Sequence, residues 1–190
     1  EKKPEFDYKN ILLTDKKTLN AFAKGQTDDV FQFESPGMKK ILRKCKPERF
    51  EDLTSLNALY RPGPMDYIPI YIDYKQNPET IHYPDPCLEE ILKETYGLIV
   101  YQEQLMQVAK KIAGYSFGEA DMLRRAMGKK RPEILMQKKK DFVECAIKRG
   151  FTEENASQIY EILIPFAGYG FNKSHAVAYT KMAFWEMYLK

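Results

Sequence analysis

Apolar residues recur at three- and four-residue spacing along most of the chain, which predicts a mainly helical protein. Turn residues and helix caps divide this pattern into segments: Ser35-Pro36 is a typical helix start, and Arg61-Pro62-Gly63-Pro64 is a typical stop. Predicted helices begin after Thr14, Ser35, Thr152 and Ser174 and near Phe50, Cys87 and Pro132, and two more have apolar faces that include Leu105 and Met122. The four hydroxyl residues in this series are predicted N-caps, and the helix after Thr152 is expected to end at Pro165.

A short β-like run, Leu98 to Tyr101, interrupts the helical pattern, although a buried helix segment has the same appearance. We therefore predict a mainly α, irregular multi-helix module with at most a short β element near 98–101. The chain is interpreted as one domain over 1–190, with a possible subdivision into 1–77 and 87–190. The connector between these parts, Pro78 to Pro86, contains three prolines in nine residues.

Charge is distributed unevenly along the 190 residues. The formal net charge of +3 is too small to indicate a nucleic-acid partner. However, the basic window, residues 124–140, carries eight cations and one acid, or +7. The rest of the chain has 22 cations against 26 acids, or −4, so the excess positive charge lies in one window.

Cysteine and histidine are too few and too scattered to indicate a disulfide framework or a zinc site. No apolar stretch is long enough to span a membrane, and no signal peptide is visible, so we expect a cytoplasmic protein. The last predicted helix has no terminating glycine or proline, and the chain does not begin with Met. We therefore expect it to be part of a longer polypeptide.

The strongest chemical signal is the segment Ala120 to Pro132, where Arg124 and Arg125 lie on a helix that Lys129 and Lys130 follow. Guanidinium forks and ammonium groups suit phosphate oxygens, so this segment favours a polyphosphate or nucleic-acid site. The alternative is that cations near a helix C-terminus complement the helix dipole and remain solvated.

A second candidate anion site is Phe171-Asn172-Lys173-Ser174-His175, at the predicted start of the last helix. If Ser174 is the N-cap, free backbone N–H groups, Lys173 and His175 point to the same place. Simple capping, with His175 as an ordinary surface or core side chain, is the alternative.

Three further residues are candidates for lining a cleft: Arg61 in the proline turn, Gln102 after the β-like run, and Tyr169 in the aromatic loop. Each has an ordinary structural explanation too, as a turn, a first helical turn or a packed aromatic. The sequence has no pattern for holding two metal ions and none of a hydrolase or a Walker-type loop. We therefore assign no catalytic residue and no metal ligand to this chain.

Five motifs, taken in order, resemble a known family: Val30 to Ser35, Tyr60 to Pro64, Tyr96 to Gln104, Ala120 to Lys130 and Phe166 to Ala176. The chain resembles the alpha subunits of bacterial DNA polymerase III, the C-family replicative DNA polymerases, from about Leu12 onward. In that family the stretch is the fingers region.

The resemblance implies a part of a DNA-directed DNA polymerase that binds the incoming nucleotide and the templating DNA. By this resemblance, Arg124 and Arg125 are the first candidates for contact with the triphosphate. The second candidates for this contact are Lys129, Lys130, Lys173 and His175. The candidates for lining the cleft or contacting the template are Arg61, Gln102 and Tyr169. Magnesium would be bound by palm aspartates outside this chain, so the chain alone is expected to be inactive. Implied partners are primer–template DNA, the incoming dNTP, the palm and thumb, and replisome subunits.

Two alternatives remain, a non-catalytic helical nucleic-acid-binding module and a protein-interaction scaffold whose basic window meets an acidic partner. Steep salt dependence without nucleotide binding favours the first, and indifference to both DNA and nucleotides favours the second.

Overall fold

A computed structural model describes residues 7–129 and 131–190. The described part is mainly helical and has no sheet, as predicted. It contains ten α-helices: α1 (Lys16–Ala23), α2 (Pro36–Cys45), α3 (Phe50–Leu59), α4 (Ile68–Gln76), α5 (Glu89–Leu92), α6 (Gln102–Ala113), α7 (Phe117–Gly128), α8 (Pro132–Ile147), α9 (Glu153–Ala167) and α10 (Lys173–Leu189). Short 3-10 turns lie between several of them.

The helices belong to two compact units, one made of residues up to Tyr60 together with Ser174–Lys190, the other of Arg61–Lys173. The subdivision into 1–77 and 87–190 that the prolines indicate stays a prediction, since compactness alone does not define a folding domain.

An aromatic cluster forms the core of the first unit. The Phe22 ring lies 5.2 Å from that of Phe33 and 6.2 Å from that of Phe184, and the Phe50 ring packs edge-on against Phe184 at 6.0 Å. Phe22, Phe33 and Phe184 are fully buried. Burial of such large apolar side chains is the main stabilising contribution to this unit.

The second unit has its core between α6, α7, α8 and α9. Val108, Leu123, Phe142, Tyr160 and Leu163 are all at most 1% exposed. The Tyr160 ring contacts that of Phe142 at 5.5 Å, and its hydroxyl donates to the Leu135 carbonyl at 2.8 Å. The polar end of this buried ring is therefore paired. This helical core is the support for the loops described below.

Helix starts follow the sequence closely because short polar side chains accept hydrogen bonds from first-turn N–H groups. Ser35 caps α2 and Thr152 caps α9, as predicted. The prediction that Thr14 caps α1 was wrong by one residue, since the Asp15 carboxylate accepts from Thr18 N at 2.8 Å.

Other helix boundaries differ from the predicted ones. Ser174 is inside α10, which begins at Lys173, so it is not the N-cap. Pro165 lies inside the last turn of α9 and does not end it, and α4 was not predicted. The β element is reduced to a single parallel bridge between Tyr101 and Phe171. In the described residues no helix has the length and apolar character required to cross a membrane.

Candidate functional site

Helix α7 carries the two adjacent arginines. Its start is fixed by a capping box. The Ser116 hydroxyl accepts from Glu119 N at 3.3 Å, and the Glu119 carboxylate accepts from Ser116 N at 2.8 Å. The helix then runs through Arg124 and Arg125 to Gly128.

One carboxylate, that of Asp121, binds both guanidinium groups. Its Oδ1 accepts from Nη2 and Nε of Arg124 at 2.7 and 3.0 Å, and its Oδ2 lies 2.7 Å from Nε of Arg125. The side chain of Arg124 is 19% exposed and that of Arg125 is 70% exposed. The Arg124 hydrogen bonds, together with the charges of both arginines, lower the pKa of Asp121. The result is a pair of cations at the surface of α7 that share one carboxylate.

The end of α7 lies against the end of α9. A Cβ at Gly128 would be 3.3 Å from the carbonyl oxygen of Ala167, which leaves little room for a side chain at this position. Lys129 is the C-cap residue of α7 and is exposed. Lys130, the next candidate cation, lies outside the described residues. Helix α7 thus ends beside Ala167, the residue that precedes the Gly168–Gly170 loop.

This loop is held by backbone pairing with the segment before α6. Phe171 N donates to the Val100 carbonyl at 3.1 Å, and Gln102 N donates to the Phe171 carbonyl at 2.9 Å. The Gln102 side chain adds a bond from Nε2 to the Gly170 carbonyl at 2.9 Å. The absence of a side chain at Gly170 favours this close approach, because a Cβ there would lie 3.0 Å from the Phe166 carbonyl oxygen and 3.1 Å from Cγ of Gln102.

Arg61 supports the same loop from the proline turn. Its Nη2 donates to the Tyr169 carbonyl, and its guanidinium lies 4.7 Å from the centre of the Phe171 ring, a cation–π contact. Burial lowers the pKa of Arg61. Gly63 brings the turn close to the Tyr169 ring, at a positive φ of 96°. Arg61, Gln102 and Tyr169, the three predicted cleft residues, are therefore brought together around one loop.

Lys173, at the start of α10, is bound by two carboxylates. Its Nζ donates to Glu94 at 2.6 Å, and its backbone N–H donates to both carboxylate oxygens of Glu103 at 3.0 and 3.1 Å. The Asn172 amide also donates to Glu103. Glu103 thus occupies the N-terminal anion position of α10, which the sequence suggested for an external phosphate.

His175 belongs to the other compact unit and is exposed. Its ring lies 4.1 Å from that of Tyr179, which in turn contacts Phe31 at 5.6 Å. The role of His175 in triphosphate binding stays a prediction.

Gln104 was missed by the sequence interpretation but organises the turn before α6. It is 4% exposed, and its Oε1 accepts from the N–H groups of Val100 and Tyr101 at 2.9 and 3.0 Å. Its Nε2 donates to Oγ1 of Thr95 at 2.7 Å and to the Ile91 carbonyl at 3.3 Å.

Asp121 was missed as well. Its position three and four residues before the two arginines was a readable signal, because residues at these spacings are neighbours on a helix surface and form ion pairs.

No metal centre is found among the described residues. Nowhere in the ranges 7–129 and 131–190 do three or more histidine, cysteine or acidic side chains gather in a way that could ligate an ion.

Several known proteins are similar in sequence to this chain. The profile of the bacterial DNA polymerase III alpha subunit finger domain matches residues 1–150. DNA polymerase III subunit alpha of Treponema pallidum is 58% identical over 185 residues, covering 97% of this chain and 16% of that protein. The subunits of Borreliella burgdorferi and Bacillus subtilis are 54% and 46% identical, over 98% and 100% of this chain and 16% and 17% of their own lengths.

The chain spans about a sixth of the length of these relatives. The region matched in the Bacillus subtilis subunit covers the whole of this chain, and therefore both α7 and the loop that Arg61 supports. The profile match and the identity over nearly the whole chain lead to one assignment: the chain belongs to the family of bacterial DNA polymerase III alpha subunit finger domains.

Proposed function

We propose that this chain is the part of a DNA-directed DNA polymerase that binds the triphosphate of the incoming deoxynucleotide and the templating DNA. The observation that carries the proposal is the pair Arg124 and Arg125, held at the surface of α7 by one carboxylate. Fixed guanidinium groups bind phosphate oxygens in bidentate geometry and stabilise charge that develops on the leaving pyrophosphate.

The remaining cations differ in how accessible they are. Lys129 is exposed at the end of α7, four residues after Arg125, and no ion pair is recorded for its side chain among the described residues. Lys173 is bound to Glu94 at 2.6 Å and must give up that ion pair first. We therefore place Arg124, Arg125 and Lys129 ahead of Lys173 as triphosphate ligands, with Lys130 and His175 as additional candidates.

Template binding is proposed for the loop around Tyr169. Aromatic side chains bind bases by stacking, and Arg61 and Gln102 hold the backbone carbonyls of Tyr169 and of the next residue, Gly170. In this proposal Arg61 and Gln102 act by holding the loop, and only Tyr169 contacts DNA.

The chain is proposed to catalyse nothing alone. In the complete polymerase, magnesium would be held by palm residues outside these 190, and the palm, thumb and replisome subunits would be its protein partners. Incubation of the purified chain with magnesium, dNTPs and primer–template DNA should give no extended primer. Extension that depends on the purified chain would contradict this part of the proposal.

The nucleotide site is tested in the complete polymerase subunit by replacing Arg124 and Arg125 with alanine together. The loss of a single charge-assisted hydrogen bond costs roughly 1.5–3 kcal/mol, so we expect the KM for dNTP to rise by at least about tenfold in primer extension. An unchanged KM would remove the pair from the triphosphate site.

Lys139 and Lys140 provide the matched control. They are also adjacent cations of the basic window, but they lie on α8 and pair with Glu161 and Glu144. Replacing both with alanine should leave the KM for dNTP within about twofold, because neither lysine is a proposed ligand of the triphosphate. An equal rise in both double variants would indicate a general effect of charge, as a nucleic-acid-binding module without a nucleotide site would show.

A further inference from the structure

We infer that Asp121 is a positioning residue for nucleotide binding: it holds Arg124 and Arg125 in the orientation in which they receive the triphosphate. This inference rests on the proposed function of the two arginines. It assigns a role to a carboxylate that itself contacts no phosphate.

The contact geometry carries the inference. One carboxylate oxygen of Asp121 accepts hydrogen bonds from Nε and Nη2 of Arg124, and the other oxygen pairs with Nε of Arg125. These bonds do not use Nη1 of Arg124 or the Nη groups of Arg125, and a guanidinium carries five N–H donors in one plane. In this inference the donors that Asp121 does not use bind the phosphate oxygens.

The position on the helix explains why one acid serves two arginines. Residues three and four positions apart are neighbours on a helix surface, so Asp121 lies beside Arg124 and beside Arg125, whereas adjacent arginines alone would diverge by about 100° around the axis. Without the shared carboxylate, each long side chain would sample several rotamers, and ordering both would weaken nucleotide binding.

Two other roles for Asp121 predict different results. If the carboxylate only stabilises α7, its removal changes the folded fraction and leaves the KM unchanged. If it instead competes with the triphosphate, its removal raises the local charge and lowers the KM. The positioning role alone predicts a higher KM.

The test is primer extension by the complete polymerase subunit with Asp121→Asn and Asp121→Ala. We expect the KM for dNTP to rise about threefold to tenfold, with kcat within about twofold, because orientation of the ligands is lost while the arginines remain. Asp121→Glu should recover part of the loss, since it keeps a carboxylate. In the Arg124→Ala/Arg125→Ala background, Asp121→Ala should add no further change to the KM.

Asp141 is the control carboxylate. It pairs with Lys138 on α8 at 3.4 Å, also three residues apart, and Asp141→Ala should leave the KM unchanged. An unchanged or lower KM for Asp121→Asn would overturn the inference about Asp121. If the arginine double variant still had a raised KM in the same series, the proposed triphosphate site would remain supported. If the arginine double variant also had a normal KM, the proposed function itself would fail.

Discussion

Replacement of Gln104 by leucine should lower the free energy of unfolding by about 3 kcal/mol, as judged from its hydrogen bonds. The substitution removes the acceptor that the backbone N–H groups of Val100 and Tyr101 share, within a side chain that is 4% exposed. The two buried donors left unsatisfied cost about 2 kcal/mol each, or about 4 kcal/mol together, and the added apolar burial of leucine offsets about 1 kcal/mol of this.

The measurement is equilibrium unfolding of the 190-residue chain in guanidinium chloride, followed by circular dichroism at constant pH. Gln107→Leu is the matched control, because Gln107 lies on the same helix but is exposed. The control should change the free energy of unfolding by no more than about 0.5 kcal/mol. A loss below about 1 kcal/mol for Gln104→Leu, or one equal to that of the control, would refute the reasoning.

Local geometry gives three further expectations for stability and reactivity. At Gly63, φ is 96° and an added Cβ would lie 2.8 Å from the Tyr169 ring. Denaturant unfolding should therefore show that Gly63→Ala destabilises the chain by more than about 1 kcal/mol, whereas Gly118→Ala, in open helical space, stabilises it by about 0.5 kcal/mol. Burial raises the pKa of Cys87 from 9.0 to about 11. Mass spectrometry of the Cys87 peptide should thus show that iodoacetamide alkylates this thiol at pH 8 about a hundredfold more slowly than in the unfolded chain. Ionisation of the thiol should also destabilise the fold as the pH rises from 9.0 toward about 11. Asp15→Ala should cost about 1 kcal/mol at neutral pH through loss of the α1 cap. Because hydrogen bonds from the first turn lower the pKa of Asp15, the difference from the native chain should disappear in unfolding curves recorded well below pH 3.8.

The fold was predictable where its determinants are local. The pair Ser35-Pro36 defines the start of α2, and the apolar spacing of residues 50–60 defines α3, because capping and amphipathic periodicity act within a few residues. Helix α4 was not predicted, because Pro62, Pro64 and Pro69 indicate turns. Proline is nevertheless compatible with the first turn of a helix, where Pro69 lies.

The candidate site was only partly predictable. Neighbouring residues such as Arg124 and Arg125 are visible in the sequence, whereas the partners of Lys173 are not. Glu94 and Glu103 are 79 and 70 residues away from it, and no local pattern relates them.

Met122 shows that the apolar pattern of a helix does not identify every buried residue. It continues the apolar pattern of α7 but is 61% exposed, because the packing of this helix buries Ala120, Leu123 and Met127 instead. Spacing alone does not decide which of several apolar faces of a helix contacts the core.

The bridge between Tyr101 and Phe171 has a consequence for folding kinetics. Joining points about 70 residues apart costs roughly 4 kcal/mol of loop-closure entropy, against about 2 kcal/mol for a ten-residue loop. Contacts between successive helices such as α6 and α7 need no such closure and can form earlier. The loop that carries Tyr169 should therefore become ordered late, so changes in it alter the lifetime of the folded state more than the rate of folding.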